Sequence, residues 1–378
     1  MPARLLLVLL LVGFASAGCD SSSAVTPATE TTAATTVDGT DADELPASDE
    51  ILAQIDDALD FTYQHRRLSV GPSKSDQAAW QIIHGALAFK REFLVHDGTQ
   101  DVSAVDYVLA GRPMKGMEFL KGDVLDPKTN RVGIRSYVAG DKMGQGHTDQ
   151  WMGYLSDCQL PLDEPIVVGG DQHTVADYID QMQLDVHKNP IREYTWTLMA
   201  LTAYYPTDHA WTAGDGETWS IEKLVEIEME HSLEDSPCGG THRMTALTIA
   251  YNRHIAAGGQ DEGLWKQLKQ RIDQCVTDAR QFQNADGSLS SNYFLRPGKS
   301  PDLAIAMGSA GHTMEFLATA LDKDQLQEPW VQRAVLDVCK LFRKTKPVDV
   351  ECGALFHAAH GLVLYREKVF GPRTFGGQ

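Results

Sequence analysis

The chain has 378 residues, with 52 Asp and Glu against 33 Lys and Arg and a formal net charge of −19. So acidic a surface argues against a nucleic-acid partner and against anionic lipid head groups as ligands. Six cysteines without any CxxC spacing argue against a zinc ribbon or a thioredoxin-type site.

The first segment reads as a targeting signal. Arg4 is followed by the apolar run 5–12 and then by small residues. About ten apolar residues are too few to cross a bilayer as a helix. Ser16-Ala17-Gly18-Cys19 has the form of a lipobox, with Cys19 as the lipidated residue, although Ser16 stands where an aliphatic is usual. Ala15-Ser16-Ala17 also suits ordinary signal peptidase. Either cleavage implies export, and the first implies a lipid anchor in the cell envelope, at the periplasmic or outer surface. Residues 20–48 are Ser, Thr, Ala and Asp with almost no large apolar side chains, a composition that cannot offset ordering entropy and reads as a tether.

About 330 residues remain, here taken as one domain over 49–370. Amphipathic helices are predicted over 49–66, 174–187, 219–233, 262–282 and 328–342, each apolar on one side and charged on the other. Between them lie six segments of another kind, at 80–89, 146–155, 193–205, 239–251, 311–321 and 353–365. They are rich in Gly, Ala, Thr and large apolar residues, and most carry a histidine. A helix apolar nearly all round is a buried one. The steps from His147 to Thr195, Thr195 to His242 and His312 to His357 are about 45 to 48 residues, a repeat signal. Two longer steps hold insertions: 96–145, with strands predicted at 115–121 and 131–138 about a turn at Asp126-Pro127, and the Gly- and Ser-rich loop 283–307. The expected fold is all-α, an α/α toroid of about six inner and six outer helices with a small β-hairpin insertion.

The element Gln281-Phe282-Gln283-Asn284 leading into Asp286-Gly287-Ser288, together with Gly311-His312-Thr313, resembles the repeats of the terpenoid cyclase/protein prenyltransferase toroid superfamily. The resemblance implies the toroid for most of 49–367 and extends as motif over about thirty residues. The departures are informative. No DxDD acid motif of the triterpene cyclases occurs in the domain. Asp235 and Cys238 are three apart where the zinc-binding prenyltransferases have two, and those enzymes are intracellular. Cys238-Gly239-Gly240-Thr241 lacks the Gln of a thioester motif. No G-x-S-x-G, HExxH or P-loop is present.

On this topology His147, His242 and His312 start inner helices two, four and five, and His357 and His360 lie one to two turns into the sixth. The helix N-termini would make an anion-friendly mouth and keep those histidines neutral. The catalytic candidates are His242, His312, Glu315 and His147, with Glu315 spaced to orient His312. His357, Arg243, Tyr194, Trp196, Trp151 and Asp149 are expected to line the pocket. Cys238, His242, His312 and Cys352 make a candidate zinc site, with Cys238 and His242 on one helical face.

Plainer readings stand beside these. The histidines are caps or core hydrogen-bonders. Glu315 pairs with Arg243 or Arg192. The cysteines are small buried hydrophobes. Two functions follow: a ligand- or partner-binding toroid at the cell surface, or a hydrolase or lyase of extracytoplasmic carbohydrate using His and carboxylate groups. A zinc-dependent prenyltransferase-like enzyme is the more distant third.

Overall fold

The computed structural model describes residues 45–140, 143–190 and 194–376. Cys19, the tether up to residue 44 and Arg192 lie outside the described residues.

The fold is mostly helical. In chain order the helices are α1 (Ser48–His65), α2 (Ala79–Phe89), α3 (Ala104–Leu109), α4 (Gln150–Asp157), α5 (Val175–Asp185), α6 (Tyr194–Tyr204) and α7 (Ile221–Glu230). They continue with α8 (Thr241–Ala256), α9 (Gly263–Gln281), α10 (Leu303–Ala320), α11 (Lys323–Leu326), α12 (Pro329–Thr345) and α13 (Cys352–Phe370). Their starts are written locally. Asp302 accepts the Ile305 amide at 3.0 Å, Thr174 and Asp177 form a reciprocal capping box, and Glu351 accepts the amides of Gly353 and Ala354.

Two populations of helices are evident. In α2, α4, α6, α10 and α13 nearly every side chain is buried or half-buried. In α9 and α12 only one stripe is buried, for example Trp265, Leu268, Ile272 and Cys275, or Val331, Val335, Val338 and Phe342. The buried helices pack in a circuit: α2 on α4, α4 on α6, α6 on α8, α8 on α10, α10 on α13, and α13 back on α2. The amphipathic helices cover it, with α7 against α6 and α8, α9 against α8 and α10, and α1 against α12 and α13. Apolar and small residues on every face thus mark the helices that lie inside, and a single apolar stripe marks those that cover them.

The closest approach is between α10 and α13. A Cβ on Gly311 would sit 2.7 Å from the Ala358 Cα, against backbone that cannot move aside. Gly311→Ala is therefore expected to cost about 1–3 kcal/mol through overpacking, read as a lowered urea midpoint with an unchanged slope.

Among the described residues there are four small sheets. The short strands β1 (Leu68–Ser69), β2 (Leu94–His96) and β3 (Asp101–Ser103) form one. β4 (Met117–Asp126) and β5 (Arg131–Val138) form the expected hairpin, with β4 starting later and running further than 115–121. The pairs β6 (Pro165–Val168) with β7 (Asp171–Thr174), and β8 (Ala210–Thr212) with β9 (Thr218–Ser220), were not expected. At three or four residues such strands are too short to show a period. The hairpin is tied to α5 through Arg131 to Asp177 at 2.6 Å and Arg135 to Asp185 at 2.5 Å. No disulfide joins any two of the five cysteines among the described residues.

Candidate metal centre

Inside the circuit of buried helices, four of them bring imidazoles together. α2 supplies His84, α8 His242, α10 His312, and α13 both His357 and His360. The ring centroids lie 3.8 Å apart for His312 and His357, 4.5 Å for His242 and His312, 4.8 Å for His84 and His357, and 5.2 Å for His242 and His357.

Glu315, one helical turn beyond His312, organises the cluster. Its Oε1 accepts from His357 Nδ1 at 2.9 Å and from His360 Nδ1 at 2.7 Å. Its Oε2 lies 3.0 Å from His357 Nδ1 and 3.3 Å from His312 Nδ1. His84 Nδ1 meets the Trp80 carbonyl. A carboxylate and a carbonyl only accept, so in all four rings the proton belongs on Nδ1 and Nε2 is left as a lone pair. His360 Nε2 is buried without a hydrogen-bond partner.

Electrostatics point the same way. Burial pushes the Glu315 carboxyl up, but the hydrogen bonds from His312 and His360 outweigh it and bring it down to about 2. His242, His312 and His357 are held well below the ordinary imidazole value, first by burial. His357 and then its neighbours add to this at His242 and His312, and His84 and His360 do so at His357. His84 is lowered by burial against the opposing Trp80 carbonyl. The result is that the imidazoles of His84, His242, His312 and His357 are held toward the neutral form around one anion. That environment favours a cation, whereas the helix-dipole argument led to an anion-friendly mouth.

Cys238 completes the group. Sγ of Cys238 and one ring nitrogen each from His242 and His312 all lie within 4.8 Å of one another, as do the donor atoms of His312, Glu315 and His357. The two sets share His312. Cys238 sits in a 3-10 turn, Pro237–Gly240, ahead of α8. It reaches His242 through this turn and not along a helical face. Cys238, Gly239 and Gly240 all have positive φ, at 51°, 61° and 75°. For cysteine that conformation is strained, and strain of this kind clusters at functional sites. Gly239 is required twice, by its φ and because a Cβ there would lie 2.7 Å from the Tyr293 Cβ. Tyr293, itself at φ 57°, leans over the cluster with its ring 6.5 Å from that of His312.

The other expected residues divide. Trp196 belongs to the wall, 5.1 Å from His242 and 6.1 Å from His147 by ring centroids. His147 lies in the loop before α4, which begins at Gln150, so it does not start the helix. His312 lies deep in α10, whose first residue is Leu303, and Thr313 is no cap: its hydroxyl donates to the Ser309 carbonyl. Asp149 caps the approach to α4 in a left-handed conformation and accepts from Asn189 and Thr197. Arg243 is withdrawn from the cluster, paired with the buried Glu228 at 2.9 Å, so Glu315 keeps its histidines as partners. Tyr194 packs on Trp219, and Trp151 is buried in the core.

Cys352 is outside both donor groups. As the first residue of α13 it lies about 7.5 Å along the axis from His357. Its thiol, pushed up to about 11 by burial, meets Gln81. The reading of Cys352 as a ligand gives way to one of packing. His84, His360 and Tyr293 were absent from the expected set. The first two were signalled by the histidine in the 80–89 segment and by the spacing of His357 and His360, which repeats that of His312 and Glu315. Tyr293 carried no local signal.

Comparison of the chain with protein-family models, with curated proteins and with solved structures finds no match.

Proposed function

We propose that this chain is an exported, lipid-anchored α/α-toroid protein that holds a zinc ion at Cys238, His242 and His312 and acts on an extracytoplasmic substrate as a hydrolase or lyase. The observation that carries the reading is the Glu315 carboxylate set 3.3 Å from His312 Nδ1. Glu315 accepts a hydrogen bond from that nitrogen, the relation by which a carboxylate orients and strengthens a metal-ligating imidazole. One sulfur and two nitrogen donors suit zinc by softness. Three protein ligands are also the usual number where a fourth position stays open for chemistry. His242 and Cys238 are only half-buried, which supports access from solvent.

The closed circuit of helices supports the toroid. The apolar leader ending at Cys19 supports export and anchoring. Bound zinc would lower the pKa of a coordinated water or polarise a substrate carbonyl. The chain's own residues do the rest. Glu315 fixes the imidazoles, Trp196 and Tyr293 flank the cluster, and His357, its ring 3.8 Å from that of His312, is placed to move a proton.

A second reading has its own support. Because Glu315 bridges His312 and His357, the pair could act as a carboxylate-oriented base without metal. Metal analysis separates the two. The purified chain is expected to carry or take up one zinc per molecule, and turnover on a panel of glycosides and esters should disappear with chelation and return with zinc. A chain that takes up no zinc overturns the first reading, and turnover that survives complete chelation favours the second. A metal-free chain without turnover leaves a ligand-binding role at the cell surface.

A further inference from the structure

A cavity of about 370 Å³ lies between the β4–β5 hairpin and α5, closed on its inner side by the loop that precedes α4. Its size is at the lower end of small-ligand pockets, which run from about 300 to 1,000 Å³. We propose that this cleft binds a neutral, polyhydroxylated ligand, a sugar ring of an extracytoplasmic carbohydrate.

The walls are built to stay in place. Tyr178 donates its phenol to Ser136 at 2.5 Å, and Gln181 accepts the Asp123 amide at 2.7 Å, so the hairpin cannot slide over α5. The inner loop is bent by residues of positive φ, Gln145 at 66°, Gly146 at 69° and Asp149 at 62°. These turns bring His147 and Asp149 to the cavity wall. A preformed wall binds without first ordering itself.

The chemistry of the lining selects the ligand. Among its described residues the ionised groups cancel: Arg135 and Lys188 against Asp149 and Asp185. Asp185 lies between both cations, 2.5 Å from Arg135 Nε and 2.5 Å from Lys188 Nζ. An anion would have to compete with that carboxylate, so phosphate and uronate are disfavoured. Donors nonetheless remain, since Arg135 uses Nε and Nη2 for its carboxylates and keeps Nη1, and Lys188 is half-exposed. The floor is apolar, formed by Ile134 and Met182, and Tyr137 on the hairpin presents an exposed ring, 54% accessible, at the rim. A sugar ring has an apolar face for such surfaces and hydroxyls that both donate and accept for such partners.

His147 at the cavity wall packs on Trp196, and Trp196 packs on His242, so side chains and not open space separate the cleft from the histidine cluster. Binding in the cleft does not rest on the proposed zinc centre.

The test is calorimetric titration of the full chain, both zinc-stripped and zinc-loaded. The probes are cellobiose, maltose and lactose, then their uronic-acid counterparts and inorganic phosphate. The expected result is binding of at least one neutral disaccharide to both forms, and weaker or no binding of the anions. Tyr137→Ala and Lys188→Ala, both at exposed positions that leave the core intact, should each weaken it about three- to tenfold. The proposal is overturned if no disaccharide binds, if an anion binds more tightly, or if Tyr137→Ala leaves affinity unchanged. Binding that requires zinc would also overturn it, by placing the sugar on the metal. If the chain takes up no zinc and still binds the disaccharide, the cleft stands and the metal reading falls.

Discussion

Glu315→Ala is expected to cost the folded chain about 3–5 kcal/mol, the largest effect of any single substitution considered for this site. Glu315 is buried and accepts from the Nδ1 atoms of His312, His357 and His360. Without it three buried N–H groups lose their acceptor, each at about 1–3 kcal/mol. Removing the carboxylate also removes the cost of keeping that charge dry, which pulls the sum toward the lower figure. Glu315→Gln should fall between, since the amide offers one oxygen where the carboxylate offered two. Denaturant unfolding of the metal-free proteins measures the series. A loss under about 1 kcal/mol for the alanine variant would mean that the histidines find other partners and that Glu315 does not organise them.

The second large effect is on metal affinity. His312 is the only residue common to both donor groups. Mutation of an outer partner alone commonly lowers affinity 10- to 100-fold, so loss of this ligand is expected to lower zinc affinity at least about 100-fold. Cys352→Ser should leave it unchanged, because the thiol faces Gln81. Competition with a chromophoric chelator reads both. Equal losses in the two variants would restore Cys352 to the ligand set and disprove the assignment drawn from the geometry.

How much of this was legible in the chain depended on the range of the signal. The inner helices announced themselves because segments such as 353–365 are apolar on every face, and burial on every face has one physical meaning. Glu315 was legible for a related reason: a carboxylate within so apolar a run must have partners. Of those partners His312 was legible from its i, i+3 spacing, and His357 and His360 were not. Arg243 is closer to expectation by charge, yet it turns to Glu228 on a neighbouring helix. The start of α10 was misplaced because Gly311-His312-Thr313 imitates a helix opening, while the true cap at Asp302 sits at the end of a loop with many such residues. Tyr293 lay beyond reach altogether. Its place against Gly239 depends on two left-handed turns, far apart in the chain, being brought against each other.

The circuit of helices is closed where the two ends of the domain meet. Arg66 bonds Asp349 across 283 residues of sequence, Arg373 and Arg366 reach back to Asp56, and His84 meets His357 edge to face at the same seam. Contacts of such sequence separation form late, after the loop entropy has been paid. Of the cluster, the first half of the chain carries His84, whereas Cys238, His242, His312, Glu315 and His357 all lie in the second half. The seam therefore joins His84 to a group whose other members come from one stretch of the chain. An ion held at Cys238, His242 and His312 would then report that α8 and α10 have met, whether or not the seam between the two ends has closed.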